Sequence, residues 1–534
     1  MLGLVREIVS GVRAIARREA WAIGGLVLSW AALAAPLTDP ALAQDAGPRP
    51  VSDAQVQALV PEIEAYIASG MKAYDSPGLA IGIVAGDKLV YAKGFGIRAK
   101  GGSDPVDTKT VFQIGSATKA FLAATLGIMV DRKRFAWDDR VVDLHPDFQM
   151  KDPWVTREFR VFDLLAQRSG LPADVNDTLG ILGIDEAGMI RSLRHVEPTS
   201  SFRSTFSYTN ITHLLAGRIV ATAANAPDWN AVLQAELLQP LGMADTSHSA
   251  KAIEAAPNHA GGHRWTPNGT VQVPFTRLFP YDFGGAGDIN STVEDMSRWL
   301  RLQLGRGALD GKRLLSTESL TFTHTPKIAM TEQLSYAFGW VVQQTPGGTI
   351  VWHNGGTPSF GSYVGLLPNR DLGIVVLTNE TNVGFPDAIG LWVLDRVLGN
   401  ARVDHVANGL ARAKAGVQAS DALFAKPADP RPFPPLAPLA GTYANPSFGK
   451  VSLAVEGEGL TMELAATGAK LRLDPWNGDV FTVRIVPLGP YAAMAENLGP
   501  APNAFVQFQI DGQGKLDTFR LSMDDGQAYT FGRE

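Results

Sequence analysis

The sequence predicts a mixed α/β (α+β) fold: an antiparallel sheet flanked by helices, with an added helical region, followed by a small all-β, barrel-like domain. Three observations predict it. Strand patterns lie at both ends of the longer, N-terminal part of the chain and enclose a largely helical middle. A proline-dense run, "KPADPRPFPPLAP" (426–438), then interrupts the chain. Beyond it, short runs of alternating polarity return around glycine turns.

Bulk properties set the frame. A chain of 534 residues is long enough for two or three domains. With 19% charged and 45% hydrophobic residues, the composition is that of a globular protein. The formal charge of −6 is mild, and no basic block interleaves with aromatics, which argues against a nucleic-acid partner. The chain has no cysteine, so disulfides, thiolate nucleophiles and cysteine metal sites are excluded.

The elements follow in order. Residues 1–43 read as an export signal. Arg6, Arg13, Arg17 and Arg18 lead an apolar stretch from Trp21 to Ala35, and Ala41 and Ala43 offer the small residues of a cleavage site. That apolar core is shorter than the ~20 residues needed to span a bilayer. The expected mature protein is therefore periplasmic or secreted, with no stable membrane span after cleavage. Val56, Val60, Ile63 and Ile67 recur at helical spacing, with Pro61 among them. "GLAIGIVAGDKLVYAKGFG" (78–96) reads as strand, Gly-Asp turn, strand. Residues 117–132, 161–166, 211–223 and a stretch from Glu294 read as helices. "TIVWH" (349–353), "SYVGLL" (362–367) and "LGIVVLTN" (372–379) read as strands that return to the first pair. The expected main domain spans 50–398, a linker 399–434, and a β-barrel domain 435–534.

Candidate chemistry starts from serine–lysine pairs. Ser-x-x-Lys occurs at Ser69/Lys72, Ser116/Lys119 and Ser447/Lys450. A serine needs a nearby base to become a nucleophile, and a lysine serves only if burial or a neighbouring cation depresses its pKa. Three apart on a helix, the two side chains share one face. The N-terminus of that helix also favours a developing anion. Ser69 precedes Gly70 where its helix is expected to end, and Ser447 lies between Pro446 and Gly449 in a turn. Only Ser116 opens a helix apolar enough to bury its lysine, with Phe121, Leu122, Leu126, Ile128 and Met129 following.

Partners are sorted in the same way. Tyr208-Thr209-Asn210 runs into an apolar helix, whereas Tyr443-x-Asn445 belongs to the strand domain and is expected at its surface. His353-Asn354-Gly355-Gly356 ends a strand, and its glycines let backbone approach a substrate. His259 and His263 have zinc-like spacing, but Gly261 and Gly262 argue against a helix between them, so no metal site is expected.

With Ser116-Ala-Thr-Lys119, Tyr208-Thr-Asn210 and His353-Asn-Gly355 in that order, the chain resembles the penicillin-recognising serine hydrolases, more narrowly the class C β-lactamase and S12 peptidase branch. "PGLAIGIV", "LLAQRSGLP", "QPLGMADTS", "GGAGDINSTVEDMSRWL" and "YAFGW" are similar too. The likeness covers roughly 50–395 and implies a β-lactamase/transpeptidase-like fold; the C-terminal domain resembles a lipocalin-like module.

The resemblance implies Ser116 as nucleophile and Lys119 and Tyr208 as proton carriers, with the base left open between them. It implies His353 positioning substrate or supporting Tyr208, Asn210 and Gly355 beside substrate, and Gly356 giving an oxyanion N–H. It calls for no cofactor and no metal. Two departures stand out. Gln167-Arg168 replaces a common His-Thr, and His353, a weaker and pH-dependent cation, stands where β-lactamases carry lysine.

The implied activity is hydrolysis of amide bonds in small peptides, including those with D- or non-standard residues such as linear non-ribosomal peptides. Alternatives are a carboxylesterase or β-lactamase of the same fold, and a non-catalytic penicillin-binding-type sensor. The implied partner is thus a small peptide or ester substrate. The sequence leaves the oligomeric state open.

Overall fold

A computed structural model describes residues 49–510, 516–523 and 527–534. The export signal expected at 1–43 lies outside the described residues. Helix α1 (Asp53–Tyr74) starts at a Ser52–Gln55 capping box, which satisfies two of its otherwise unpaired backbone groups, and carries Pro61 inside it. It reaches Tyr74, so Ser69 does not end a helix. Ser69 and Lys72 are instead solvent-exposed on it, and exposure leaves that lysine without desolvation.

The main sheet has eight strands: β1 (Gly78–Ala85), β2 (Lys88–Gly96), β3 (Ile328–Ala329), β4 (Leu334–Tyr336), β5 (Val341–Thr345), β6 (Gly348–Gly356), β7 (Gly361–Leu367) and β8 (Leu372–Thr378). Their order is β2-β1-β8-β7-β6-β5-β4-β3, every pairing antiparallel. The N-terminal hairpin therefore joins the C-terminal strands through β1 and β8, with Leu79 opposite Thr378 and Ala85 opposite Leu372.

β1, β7 and β8 are buried along their whole length, which explains their nearly unbroken apolar runs. Successive side chains serve two cores. Leu79, Ile81 and Ile83 join α1 and α5 (Phe385–Leu398) on one face. Ala80 and Val84 join the core on the other face, with Val293, Trp299 and Leu300 of α4 (Val293–Leu304).

The helical region completes that second core. In α2 (Thr118–Asp131) every residue from Thr118 to Met129 is buried, as expected of a helix apolar on all sides. It packs against α3 (Ile211–Ala224), and Phe121 stacks on Trp299 at 3.8 Å between ring centroids. The stretch read as a linker differs from expectation. It contains a 20-residue helix, α6 (His405–Phe424), packed on α1 and α5 through Val406, Gly409 and Ala413. Its many alanines carry little cost in a helix.

The C-terminal part is a closed eight-stranded barrel: β9 (Gly441–Asn445), β10 (Gly449–Glu456), β11 (Gly459–Leu464), β12 (Lys470–Asn477), β13 (Val480–Ile485), β14 (Ala504–Ile510), β15 (Leu516–Met523) and β16 (Ala528–Arg533). β16 closes on β9, with Tyr443 opposite Arg533. Tyr443 lies inside the barrel rather than at its surface, against Phe519, with its hydroxyl donating to the Leu439 carbonyl at 3.0 Å. Among the described residues no helix is long and apolar enough to cross a membrane.

Candidate active site

The two-residue strand Phe112–Gln113 pairs with Asn290–Ser291 and delivers the chain to Gly115. Gly115 has φ +52°, and a Cβ there would meet the Gly356 nitrogen at 2.7 Å. Glycine is thus required twice over, by conformation and by space. A 3-10 turn, Gly115–Ala117, then runs into α2. Ser116 sits on the first turn, where backbone N–H groups have no partner within the helix. The end of β6 lies alongside. A Cβ on Gly355 would come within 1.8 Å of the Ile114 carbonyl, so Gly355 lets strand and helix start touch. Ser362 holds the same carbonyl at 2.7 Å. Gly356 remains solvent-exposed next to the partly exposed Ser116.

One turn deeper, Lys119 is completely buried. Its Nζ lies 3.1 Å from Ser116 Oγ, 2.7 Å from Asn210 Oδ1 and 2.9 Å from the Ala286 carbonyl. Burial pushes its pKa down to about 7, against the pull of Asp177, Asp174 and Asp288. The neighbours decide what a neutral amine does. Asn210 Nδ2 donates to Asp177 at 2.6 Å, and a carboxylate only accepts, so Asn210 Oδ1 must face the lysine. That oxygen and the Ala286 carbonyl take the two N–H bonds of a neutral amine. Its lone pair is left for the Ser116 hydroxyl.

Tyr208 packs over Lys119, with Nζ 4.7 Å from the ring centre. Burial raises its pKa well above 10, and Tyr336 adds to this, while the Ser116 hydroxyl acts weakly in the opposite sense. The phenol oxygen is buried and makes no hydrogen bond of normal geometry, so Ser116 is a neighbour rather than a bonded partner. Tyr208 is a protonated phenol at neutral pH.

Its loop is pinned by Gln167. The Gln167 side chain accepts from the Thr209 N–H at 2.7 Å and donates to the Thr209 carbonyl at 3.0 Å. Gln167 therefore fixes the turn that presents Tyr208 and Asn210. Arg168 turns away to share the buried Asp163 with Arg203.

His353 differs from the expected cation. Burial and nearby Lys119 push its pKa down to about 3, so the imidazole is neutral. Nδ1 lies 2.5 Å from the Asn354 carbonyl and Nε2 lies 3.1 Å from the Tyr336 hydroxyl. With Nδ1 protonated toward the carbonyl, Nε2 accepts from Tyr336. The ring is tilted at 6.3 Å from Tyr208, packed near it but not bonded.

The structure thus brings Ser116, Lys119, Tyr208, Asn210, Gly355, Gly356 and His353 together. Sequence reasoning missed Asp177, the Ala286 carbonyl, Tyr336 and the pinning role of Gln167. All four lie in or beside stretches already noted for their likeness, but nothing local in the sequence marks their contacts. Asp288, raised by burial to about 7, holds the Ala286 loop through the Gly285 N–H and Trp229. His259 and His263 point to backbone. His259 Nδ1 meets the Ala256 carbonyl, while His263 meets the Asn379 carbonyl and the Lys100 N–H.

Comparison with known proteins places the chain in a family. Residues 63–397 match the family model described as Beta-lactamase, and residues 425–532 match a domain of unknown function, DUF3471. The unguisins hydrolase ungD' of Aspergillus campestris is 28% identical over 320 residues, 57% of this chain and 59% of that protein. Unguisins hydrolase ungD of Aspergillus violaceofuscus is 24% identical over 83% of this chain and 86% of its own length. Penicillin-binding protein 4 of Amycolatopsis lactamdurans is 27% identical over 69% and 93%. The octameric penicillin-binding protein homologue from Pyrococcus abyssi shares the fold at a TM-score of 0.58 and 20% identity, across 88% of this chain and 99% of that one.

Proposed function

The chain belongs to the beta-lactamase family of serine hydrolases, and from that premise we propose that it cleaves amide bonds of small peptides through an acyl-enzyme on Ser116. The observation that carries the reading is the buried Lys119, its two N–H bonds taken by Asn210 and Ala286 and its third direction filled by Ser116. Lys119 takes the serine proton as Oγ attacks the carbonyl carbon. The oxyanion forms between the N–H groups of Ser116 and Gly356. Tyr208, a neutral phenol, gives its proton to the departing amine and regains one from the Lys119 ammonium. Water then hydrolyses the ester: Lys119 accepts the water proton and returns it to Ser116 Oγ as the acyl C–O bond breaks.

A pre-protonated Tyr208 favours amides, because an amine leaves only when protonated whereas many alkoxides and phenolates leave unaided. The neutral His353 supports peptides over penicillins, since it gives no charge for a substrate carboxylate. Two relatives carry the name unguisins hydrolase, which supports turnover over mere binding. Peptides with D- or non-standard residues, met outside the cytoplasm, fit the N-terminal export pattern.

The test compares a peptide amide library with p-nitrophenyl esters. Ser116→Ala should abolish both activities. Tyr208→Phe should cost amide turnover at least tenfold more than ester turnover, within the 10²–10⁴-fold range of a general acid, roughly. Equal losses on both substrates would point to the carboxylesterase alternative. Labelling without product would point to a sensor.

A further inference from the structure

We infer that Gln527 and Tyr529 of the barrel are positioning residues for the hydrolase site. They brace the segment Ala173–Asp177 against which Tyr208 and Asn210 rest. The inference rests on the reading of Ser116 and Lys119 as nucleophile and base.

The brace has two sides. On the barrel side, Gln527 Nε2 donates to the carbonyls of Ala173 at 3.1 Å and Asp174 at 2.7 Å, and Oε1 accepts from the Asn176 N–H at 3.1 Å. Two carbonyls and one N–H fix which way the amide faces. The Tyr529 hydroxyl lies 3.1 Å from Asn176 Oδ1 and 2.9 Å from Gln527 Oε1. Its ring is anchored in the barrel core, 4.8 Å from that of Phe448. On the catalytic side, the Asp174 N–H donates to the Tyr208 carbonyl at 2.8 Å, and Asp177 accepts from Asn210 at 2.6 Å. Asn176 also reaches Ser192 at 2.5 Å.

The segment needs such support. Asp174 and Asn176 both adopt left-handed backbone, with φ of 52° and 61°. Aspartate and asparagine tolerate that region better than most residues, but not without cost. Backbone groups of the segment are satisfied by a side chain of the other domain. Without Gln527 they would turn to water, and the segment could relax. Asp177 would then release Asn210, whose Oδ1 lies 2.7 Å from Lys119 Nζ. Lys119 would lose one of the two acceptors that direct its lone pair at Ser116. A supporting shell left loose by about 1 Å costs up to about a hundredfold in rate.

The test is the phosphonylation of Ser116 by a fluorophosphonate probe, with fluoride leaving, in the full-length protein. Rate constants and active-site titration are measured together for wild type, Ser116→Ala, Gln527→Met, Tyr529→Phe, the double variant and Lys450→Ala. Lys450 pairs with Glu534 within the barrel and serves as the control. Gln527→Met and the double variant should keep the full number of titratable sites while being labelled at least about fivefold more slowly. Tyr529→Phe should show a smaller fall, and Lys450→Ala none. A smaller effect in both Gln527 variants, or a loss accounted for by fewer titratable sites, overturns the positioning role. Wild type that fails to label, or Ser116→Ala that labels equally, overturns the underlying reading instead.

Discussion

Lys119 and Tyr208 compete for the role of base, and their surroundings move them in opposite directions. Burial takes the lysine from 10.5 to about 7 and the phenol well above 10. The active base is the neutral amine, so kcat/KM should rise with pH along an acid limb centred near pH 7 and then level off. A phenolate base would instead keep the rate climbing through pH 9 and beyond. The measurement is kcat/KM against pH on one peptide amide, and a limb above pH 9 would exclude Lys119. The sequence carried half of this argument. An apolar run after Ser116 foretold a desolvated lysine, and three motifs in chain order named the residues now found together. It could not foretell Asp177 or the Ala286 carbonyl, because they meet Lys119 from 58 and 167 positions away along the chain. Nor did it foretell His353 as neutral, since its shift comes from burial beside Lys119 and its Nε2 partner is Tyr336.

Strands and helices were more legible than their seams. Continuous apolar runs became the buried strands β1, β7 and β8, and the Gly-Asp turn joined β1 to β2. Helix α6 was hidden because it is polar overall. Only three of its residues are buried, and its packing surface is made by α1 and α5. The glycines where β6 meets the start of α2 predict room for substrate, but at Gly355 that room is filled by the protein's own backbone. Gly355 and Gly356 separate these uses. A methyl on Gly355 would collide with the Ile114 carbonyl at 1.8 Å, whereas one on Gly356 meets only Asn382 Cβ at 3.5 Å. Gly355→Ala should therefore destabilise the protein by about 1–3 kcal/mol or more, the cost of overpacking. Gly356→Ala should leave Tm close to wild type. Thermal melts of the two variants test this, and equal melting temperatures would contradict the contact.

At the scale of the whole molecule, the proline-rich run suggests two bodies on a stiff tether, yet the contacts describe one. A single apolar cluster extends from Phe112, Phe121 and Trp299 through Leu182 to Tyr491, Phe508 and Phe531 of the barrel. Tyr491 of the barrel reaches across to the hydrolase part with its hydroxyl, 3.2 Å from the Leu182 carbonyl, and lies 3.1 Å from the Thr467 carbonyl within the barrel. Asn497 donates to the Pro274 carbonyl at 2.8 Å, and Gln527 adds its bonds to Ala173 and Asp174. Domains joined by a flexible tether melt separately, because each core is lost without exposing the other. Here, unfolding the barrel would expose Leu182 and strip hydrogen-bond partners from the segment beneath Tyr208. The two parts should thus unfold in one cooperative calorimetric transition, with loss of Ser116 labelling coinciding with it. Tyr491→Phe, which removes the bond to the Leu182 carbonyl while keeping the ring, should lower that transition or begin to split it. Two resolved transitions in the wild-type protein, with labelling surviving the first, would mean that the barrel is a passenger and not part of the hydrolase body.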